Sequence, residues 1–517
     1  MGSDRTLRRT RARLAVAPAL LAALALPGCA GVRGFFRPQG DGGWSAERRS
    51  AELGARAEAA GWSQDASTPQ RVELAPEPAA ETGSAQAAAD AVRAGAALDL
   101  PAALALSARG SRRLAEQRRE LEIARERVNE TRGRLLPATT ASGRYAWYTD
   151  ALTNDVSLPA GSLPPGVTPP TVVIREKDAT LLNTTVALPI DLSGELRHAL
   201  EAAQAGYRGE AARTWAVELD EQTRTIRAYY DLLETLHLRE VAEQQLATFR
   251  EQLAVAQERY EVGRLTKNDL LVVQVAVANA EQQIRQRELA IDRARWTLNE
   301  AIGLPVDART RLRDVASAPD VPDAAEALAI AREGNPVILA LLEEQQRLEE
   351  TQTALERGRL PRFNLGAALD YSTSEIPQPQ RIETAFAGFQ WDLGTDLQRE
   401  ARIAQARLAA DKNRVRVERE LRSLEQAVRT TRDATAERLS ALETARVAVV
   451  SAEENLRIRR QQFDAGRAQS DDVLEAQQIL TRERATLATA LYQAQTRRAE
   501  LQQLMGLPLS ALAQATR

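Results

Sequence analysis

The chain has 517 residues, 44% of them hydrophobic, 27% charged and only 4% aromatic. Basic and acidic side chains nearly balance, 68 against 71, so no positive excess points to a nucleic-acid partner. One cysteine excludes a disulfide framework and a cysteine-ligated zinc site. Two histidines, His198 and His237, leave little for a histidine-based metal or catalytic centre, so no enzyme, metal or cofactor chemistry is expected. Ala, Leu, Arg, Glu and Gln dominate, the composition of long helices.

Residues 1–29 read as an export signal. Arg5, Arg8, Arg9, Arg11 and Arg13 precede a short apolar run, Leu14 to Leu26, too short to span a bilayer. Leu26-Pro27-Gly28-Cys29 resembles a bacterial lipobox, which implies a covalent lipid on Cys29; an ordinary signal-peptidase site beside a chance cysteine is the alternative. Residues 30–95 are rich in Ala, Gly, Glu, Ser and Pro and read as a flexible linker, because such a stretch buries too little apolar surface to offset its ordering entropy.

From residue 96 the pattern is regular. Leu98-Asp99-Leu100-Pro101 opens a helix that Gly133-Arg134-Leu135-Leu136-Pro137 stops. The period then changes to two: Ala141, Gly143, Tyr145 and Trp147 alternate with polar neighbours, and Leu182, Val186, Leu188 and Ile190 share one face of a returning strand. Between them Asp150 to Glu176 reads as a long, Pro-rich loop. Residues 195–262 contain no Pro and form one very long helix, ended by Gly263; Thr266 and Asp269 make a capping box for a return helix running to Gly303.

After a linker at 306–319 the plan repeats over 320–508. Val321-Pro322-Asp323 opens a helix, Gly334-Asn335-Pro336 interrupts it and Gly358-Arg359-Leu360-Pro361 stops it. Phe363, Leu365, Ala367, Leu369 and Tyr371 alternate with Asn364, Gly366, Ala368 and Asp370. Ala385, Ala387, Phe389, Trp391 and Leu393 do the same on the returning strand, against Thr384, Gly388, Gln390 and Asp392. The loop between these strands, Ser372 to Arg381, is short. A second long helix over 396–465 ends at Gly466, Ser470 caps the next one, and that helix runs to Gly506, leaving a tail at 509–517.

The halves, 96–305 and 320–508, are a tandem duplication: a gap-free stretch at an offset of 203 matches Tyr260 to Arg264 with Phe463 to Arg467, Asp269 with Asp472, Gln274 with Gln477 and Gly303 to Pro305 with Gly506 to Pro508, and upstream Gly133 to Pro137 is echoed by Gly358 to Pro361. Four strands of ~9–11 residues, each with one apolar and one polar face, suit a membrane barrel, although a soluble hairpin on a core has the same period. Four strands cannot close a barrel, and open edges cannot stay in lipid, so a barrel requires several copies of the chain.

A duplicated helix, strand hairpin, long helix, glycine tip and return helix behind a lipobox resembles the TolC-type outer-membrane factor family, in its lipoprotein branch. The resemblance implies a mainly α fold with a membrane β-barrel: a homotrimer whose 12-stranded barrel crosses the outer membrane and continues as a periplasmic α-helical tunnel. It also implies a periplasmic adaptor protein and an inner-membrane transporter as partners, and a passive duct for small molecules. A duct for type I protein secretion shares the architecture; a periplasmic coiled-coil lipoprotein without a pore is the reading from another class. By position, Asp472 and Glu475 fall on the family's acidic pore ring. Asp269 falls on the contacts that hold neighbouring tips closed, where its usual partner is an aromatic hydroxyl; that position is Phe463 here, and Arg264 and Arg467 are the candidates to replace the latch by salt bridges. An acidic first turn that merely caps its helix is the competing account of Asp472 and Glu475.

Overall fold

The computed structural model describes residues 96–155, 171–314, 321–374, 379–393, 397–465 and 467–509. These all fall within one compact unit, Thr82–Arg517. The export signal, Cys29, the linker to residue 95, Gly394, Gly466 and the tail beyond Leu509 lie outside the described residues.

The body opens with a two-residue strand, β1 (Ala97–Leu98), followed by α1 (Leu100–Gly110) and α2 (Arg112–Gly133). Asp99 caps α1 as expected, accepting from the Ala102 amide at 3.0 Å. The expected single helix is broken at Ser111, which requires no proline. The Ser111 hydroxyl accepts from the Leu114 amide (3.2 Å) and donates to the buried carboxylate of Glu221 (3.0 Å), so one side chain both starts α2 and satisfies a buried charge. Strands β2 (Ala138–Trp147) and β5 (Asp178–Ile190) follow. Between them the stretch read as loop carries a further hairpin, β3 (Leu152–Asp155) with β4 (Thr171–Arg175); Arg175 stacks 3.8 Å over the Tyr148 ring at its base.

Then come the long helix α3 (Glu195–Glu261), the return helix α4 (Lys267–Ala301) and a short strand β6 (Arg311–Leu312) that pairs in parallel with β1. The second half gives α5 (Ala324–Gly334), α6 (Pro336–Arg357), β7 (Arg362–Ser372), β8 (Arg381–Gln390), the long helix α7 (Leu397–Asp464) and α8 (Ser470–Leu504). Helices of 67 and 68 residues reach about 100 Å each. Asn335 makes the expected interruption: its Oδ1 accepts from the amides of Val337 and Ile338, and its Nδ2 donates to the Leu504 carbonyl at 2.9 Å. None of the described helices is long and apolar enough to cross a membrane.

The four expected strands form one open antiparallel sheet in the order β2-β5-β7-β8, so both halves contribute to it and β5 pairs with β7. The register stacks Ile190, Phe363 and Phe389 in one row, Leu188, Leu365 and Ala387 in the next, and Val186, Ala367 and Ala385 in a third. Alternation puts these rows on one face. The opposite face carries Thr140, Thr185 and Thr384, and Asn183 hydrogen-bonded to Asp370 at 2.7 Å. Phe386 shares the face of Thr384, its ring covering Gly366, where a Cβ would stand 2.4 Å from Cζ. One expectation is corrected. The last strand ends at Gln390, so Trp391 and Leu393 lie beyond it, and the Trp391 indole donates to the Arg359 carbonyl at 3.1 Å.

The helical layer has a thin, small-residue core. Ala202, Ala205 and Gly209 of α3 are buried where it packs on α6. Ala327, Ala331, Ile338, Leu424, Val428, Leu501 and Met505 form a second cluster among α5 to α8. Two glycine pairs mark close backbone contact: Gly303 (φ +71°) against Gly110, and Gly506 (φ +67°) against Gly334. Trp215 is buried, as a packing residue should be, whereas Trp296 is 49% exposed on the chain.

Around the middle of α3, polar side chains tie the connector to the bundle. The Tyr229 hydroxyl lies 2.5 Å from the Arg313 carbonyl and 3.2 Å from that of Leu98. Asp314 accepts from Tyr492 (3.1 Å) and meets His237 Nε2 (2.9 Å), which places that histidine in packing rather than chemistry. Burial raises all three nearby phenols, Tyr230 to about 12, because the phenolate would be poorly solvated there.

Candidate functional site

The residues singled out from sequence gather where the two helical hairpins turn. At the first tip α3 closes with paired bonds: the Gly263 amide reaches the Tyr260 carbonyl (3.0 Å) and the Arg264 amide reaches that of Arg259 (2.8 Å). This closure needs a left-handed residue, and Gly263 supplies it at φ +73°. The second tip repeats the longer bond, Arg467 amide to Gln462 carbonyl at 2.8 Å.

Each return helix is then capped by an aspartate three residues in. Thr266 Oγ1 accepts from the Asp269 amide (3.3 Å) and the Thr266 amide donates to Asp269 Oδ2 (3.3 Å), completing the expected capping box, while Oγ1 also donates to Oδ2 (2.7 Å). In the second half the cap sits one residue earlier than expected: the Gln469 amide donates to Asp472 Oδ2 at 2.9 Å, and Ser470 is the first helical residue. The helical φ/ψ therefore begins at Ser470 itself, and the carboxylate three residues past Gln469 reaches back to the orphan amide.

Asp472 and Glu475 thus have different surroundings. Asp472 is 38% exposed, engaged in the cap, with Arg459 Nη1 at 4.0 Å. Glu475 is exposed. Between them Val473 packs on Ala452, Leu456, Ala476 and Leu480, while Leu474 packs on Leu246, Phe249, Ala256 and Val273 of the first half. The start of α8 is therefore wedged between α7 and the α3–α4 hairpin, leaving Asp471 and Glu475, one helical turn apart, on the open side.

Phe463 packs at the edge of the Val473 cluster, and the Arg259 guanidinium lies 4.3 Å over its ring. This cation–π contact joins α3 to α7 and stands where the resemblance implies a hydroxyl contact. Arg259 was not apparent from sequence because its repeat counterpart is Gln462, so the duplication gives no signal for it. The suggestion that Arg264 and Arg467 replace the missing hydroxyl by salt bridges is not realised within the chain: both are exposed, and neither forms an ion pair among the described residues. Asp269 meets Thr266, not Phe463. Gly466 lies outside the described residues.

Chemically the tip offers carboxylates and guanidinium groups on an exposed surface, with no nucleophile–base pair among the described residues. It can attract or repel ions and dock against another surface.

The model of the outer membrane efflux protein family matches residues 103–304 and 327–507. Among solved structures, the fold is similar to that of the CmeC outer membrane channel of Campylobacter jejuni (TM-score 0.65, 15% identity, 79% of this chain and 85% of that one covered). The outer membrane protein VceC of Vibrio cholerae is comparable (0.65, 16%, 79% and 96%). So is the open state of the MtrE outer membrane channel of Neisseria gonorrhoeae (0.63, 17%, 79% and 88%). At these identities the likeness is one of fold. No curated protein sequence matches the chain.

Proposed function

The chain belongs to the outer membrane efflux protein family, and we propose that it is the passive exit duct of a tripartite efflux system. In this reading three copies pool their strands into one 12-stranded barrel across the outer membrane, and their long helices form a tunnel into the periplasm. A periplasmic adaptor and an inner-membrane transporter deliver small molecules to its tip; the transporter supplies the energy. Residues 1–29 direct export, Cys29 carries a lipid, and 30–95 tether it to the body.

One observation carries the proposal. The sheet has one face that is largely apolar, broken by Thr184 and, toward one end, by Glu383 and Arg381, and its edge strands β2 and β8, of ten residues each, pair on one side only among the described residues. Unpaired backbone groups in hydrocarbon cost several kcal/mol each, so a sheet built for lipid must close on further copies, and edges of equal length can do so. At the far end of the helices, the exposed Glu475 beside the capping Asp472 is proposed as the acidic ring of the pore, and the Arg259–Phe463 contact as part of the closed tip.

The test is purification of the full-length protein in detergent, measurement of its mass, and reconstitution into planar bilayers. A trimer that conducts ions, together with retention of dyes or drugs by cells lacking the gene, is expected. A monomer without conductance would refute the duct. Retention of exported proteins alone would redirect it to secretion.

A further inference from the structure

The first turn of α3 holds a cluster that the duct does not use. His198 and Glu201 are three residues apart on one helix face, and Glu350 of α6 faces them. His198 Nδ1 lies 2.7 Å from Glu350 Oε2, and one ligand atom from each of the three residues falls within 4.8 Å of the others. The opposite edge of the imidazole rests against the Gly194 turn, where a Cβ would stand 3.6 Å from Cδ2 and 3.9 Å from Nε2. The ring is therefore held with Nδ1 toward the carboxylates.

We propose that His198, Glu201 and Glu350 form a binding site for a divalent transition ion, zinc being the best match. The donor set is one imidazole and two carboxylates with no thiolate, the borderline nitrogen–oxygen mixture that suits zinc and its neighbours. Magnesium and calcium want six or more oxygens, which three side chains do not supply. Two carboxylates balance the ion's charge. Side-chain exposures of 31% for His198 and 21% for Glu350, with Glu201 exposed, leave an open position for water.

Glu201 separates this from the plain alternative. A His198–Glu350 ion pair needs no third group, yet Glu201 brings its carboxylate to the pair while making no other polar contact among the described residues. The place gives the ion a task. α3 hangs from β5 and α6 leads into β7, the neighbouring strands that join the two halves; a bidentate Arg362–Glu195 pair, 2.9 Å on both arms, already links the same elements beside it. A metal would clamp the two stems a turn further down. At the repeat offset the long helix of the second half has Ala401 and Ala404, so the site belongs to the first half alone. His198 and Glu201 form a His-x-x-Glu spacing, but the third ligand comes from 149 residues away, beyond the reach of motif reading. The site lies within one chain and stands or falls independently of trimer formation.

The test is calorimetric titration of the full-length, chelator-stripped protein in detergent with zinc chloride and, separately, magnesium chloride, with thermal melting alongside. One zinc per chain is expected, without comparable magnesium binding, and zinc should raise the melting temperature. His198→Gln and Glu201→Gln should each weaken zinc binding roughly tenfold or more. His237→Gln should leave it unchanged. Glu201→Gln removes an exposed group without a partner, so it keeps the test valid if His198→Gln folds poorly. Absent saturable binding, equal magnesium affinity, indifference to Glu201→Gln, or loss with His237→Gln would each overturn the site.

Discussion

Gly263, Gly303 and Gly506 share nearly the same backbone angle but meet different surroundings, and Gly110 has the close packing without that angle, which separates two costs of adding a methyl group. At Gly263 (φ +73°) a Cβ meets nothing within 4 Å, so Gly263→Ala carries only the left-handed penalty, about 1–2 kcal/mol. At Gly110, whose φ is not positive, a Cβ would stand 2.7 Å from both Gly303 Cα and the Ile302 carbonyl oxygen. Gly110→Ala therefore carries only overpacking against backbone, about 1–3 kcal/mol. Gly303→Ala combines both, with a positive φ and a Cβ 2.5 Å from Gly110 Cα, for about 2–5 kcal/mol. Gly506→Ala should match or exceed it, since its Cβ would sit 2.1 Å from the Gly334 carbonyl oxygen. The measurement is chemical or thermal unfolding of the four variants in detergent, followed by far-ultraviolet circular dichroism. The expected order of stability is Gly263→Ala or Gly110→Ala highest, then Gly303→Ala, then Gly506→Ala. Equal losses at Gly263 and Gly303, or none at Gly110, would refute the packing account.

Three further outcomes are expected. Phe463→Leu keeps the apolar contact with the Val473 cluster but removes the ring under Arg259; hydrogen exchange at residues 255–263 should quicken by what a contact of about 0.5–1 kcal/mol protects, and unchanged exchange would remove this contact from the closed tip. Glu475→Gln should move the reversal potential of the reconstituted channel toward zero in a salt gradient by reducing cation preference, while Glu201→Gln should not; equal effects would displace the ring from Glu475. Burial raises the Glu234 carboxyl above its ordinary range, despite a hydrogen bond from Thr489. A raised folded value means stability that is present below the unfolded pKa and lost as pH rises through the folded one. Glu234→Gln should therefore raise the melting temperature at neutral pH and change it little below about pH 4; the reverse pattern would contradict burial as the cause.

The sequence was most legible where one period ran unbroken. Phe363 to Tyr371 alternate cleanly and form β7 as expected, and the long Pro-free stretches are the long helices. Asn335-Pro336 advertised its break through proline, whereas Ser111 breaks the first-half helix through a hydroxyl bonded to Glu221, 110 residues away. The β3–β4 hairpin escaped because its strands are four and five residues long and flank a Pro-rich stretch. Tip residues that recur in both halves, such as Asp269 and Asp472, stood out by repetition. Arg259, whose partner Phe463 is on the other long helix and whose counterpart is Gln462, had neither repetition nor proximity to reveal it.

The parallel pairing of β1 with β6 settles how a doubled gene can make one wall. Residues 97–98 enter the first unit and 311–312 leave it, side by side and pointing the same way, stapled by the Tyr229 hydroxyl. The first unit thus closes on the same heading with which it opened. Both hairpins emerge at one end of the molecule, and a tandem copy could be appended without reversing or rethreading the original.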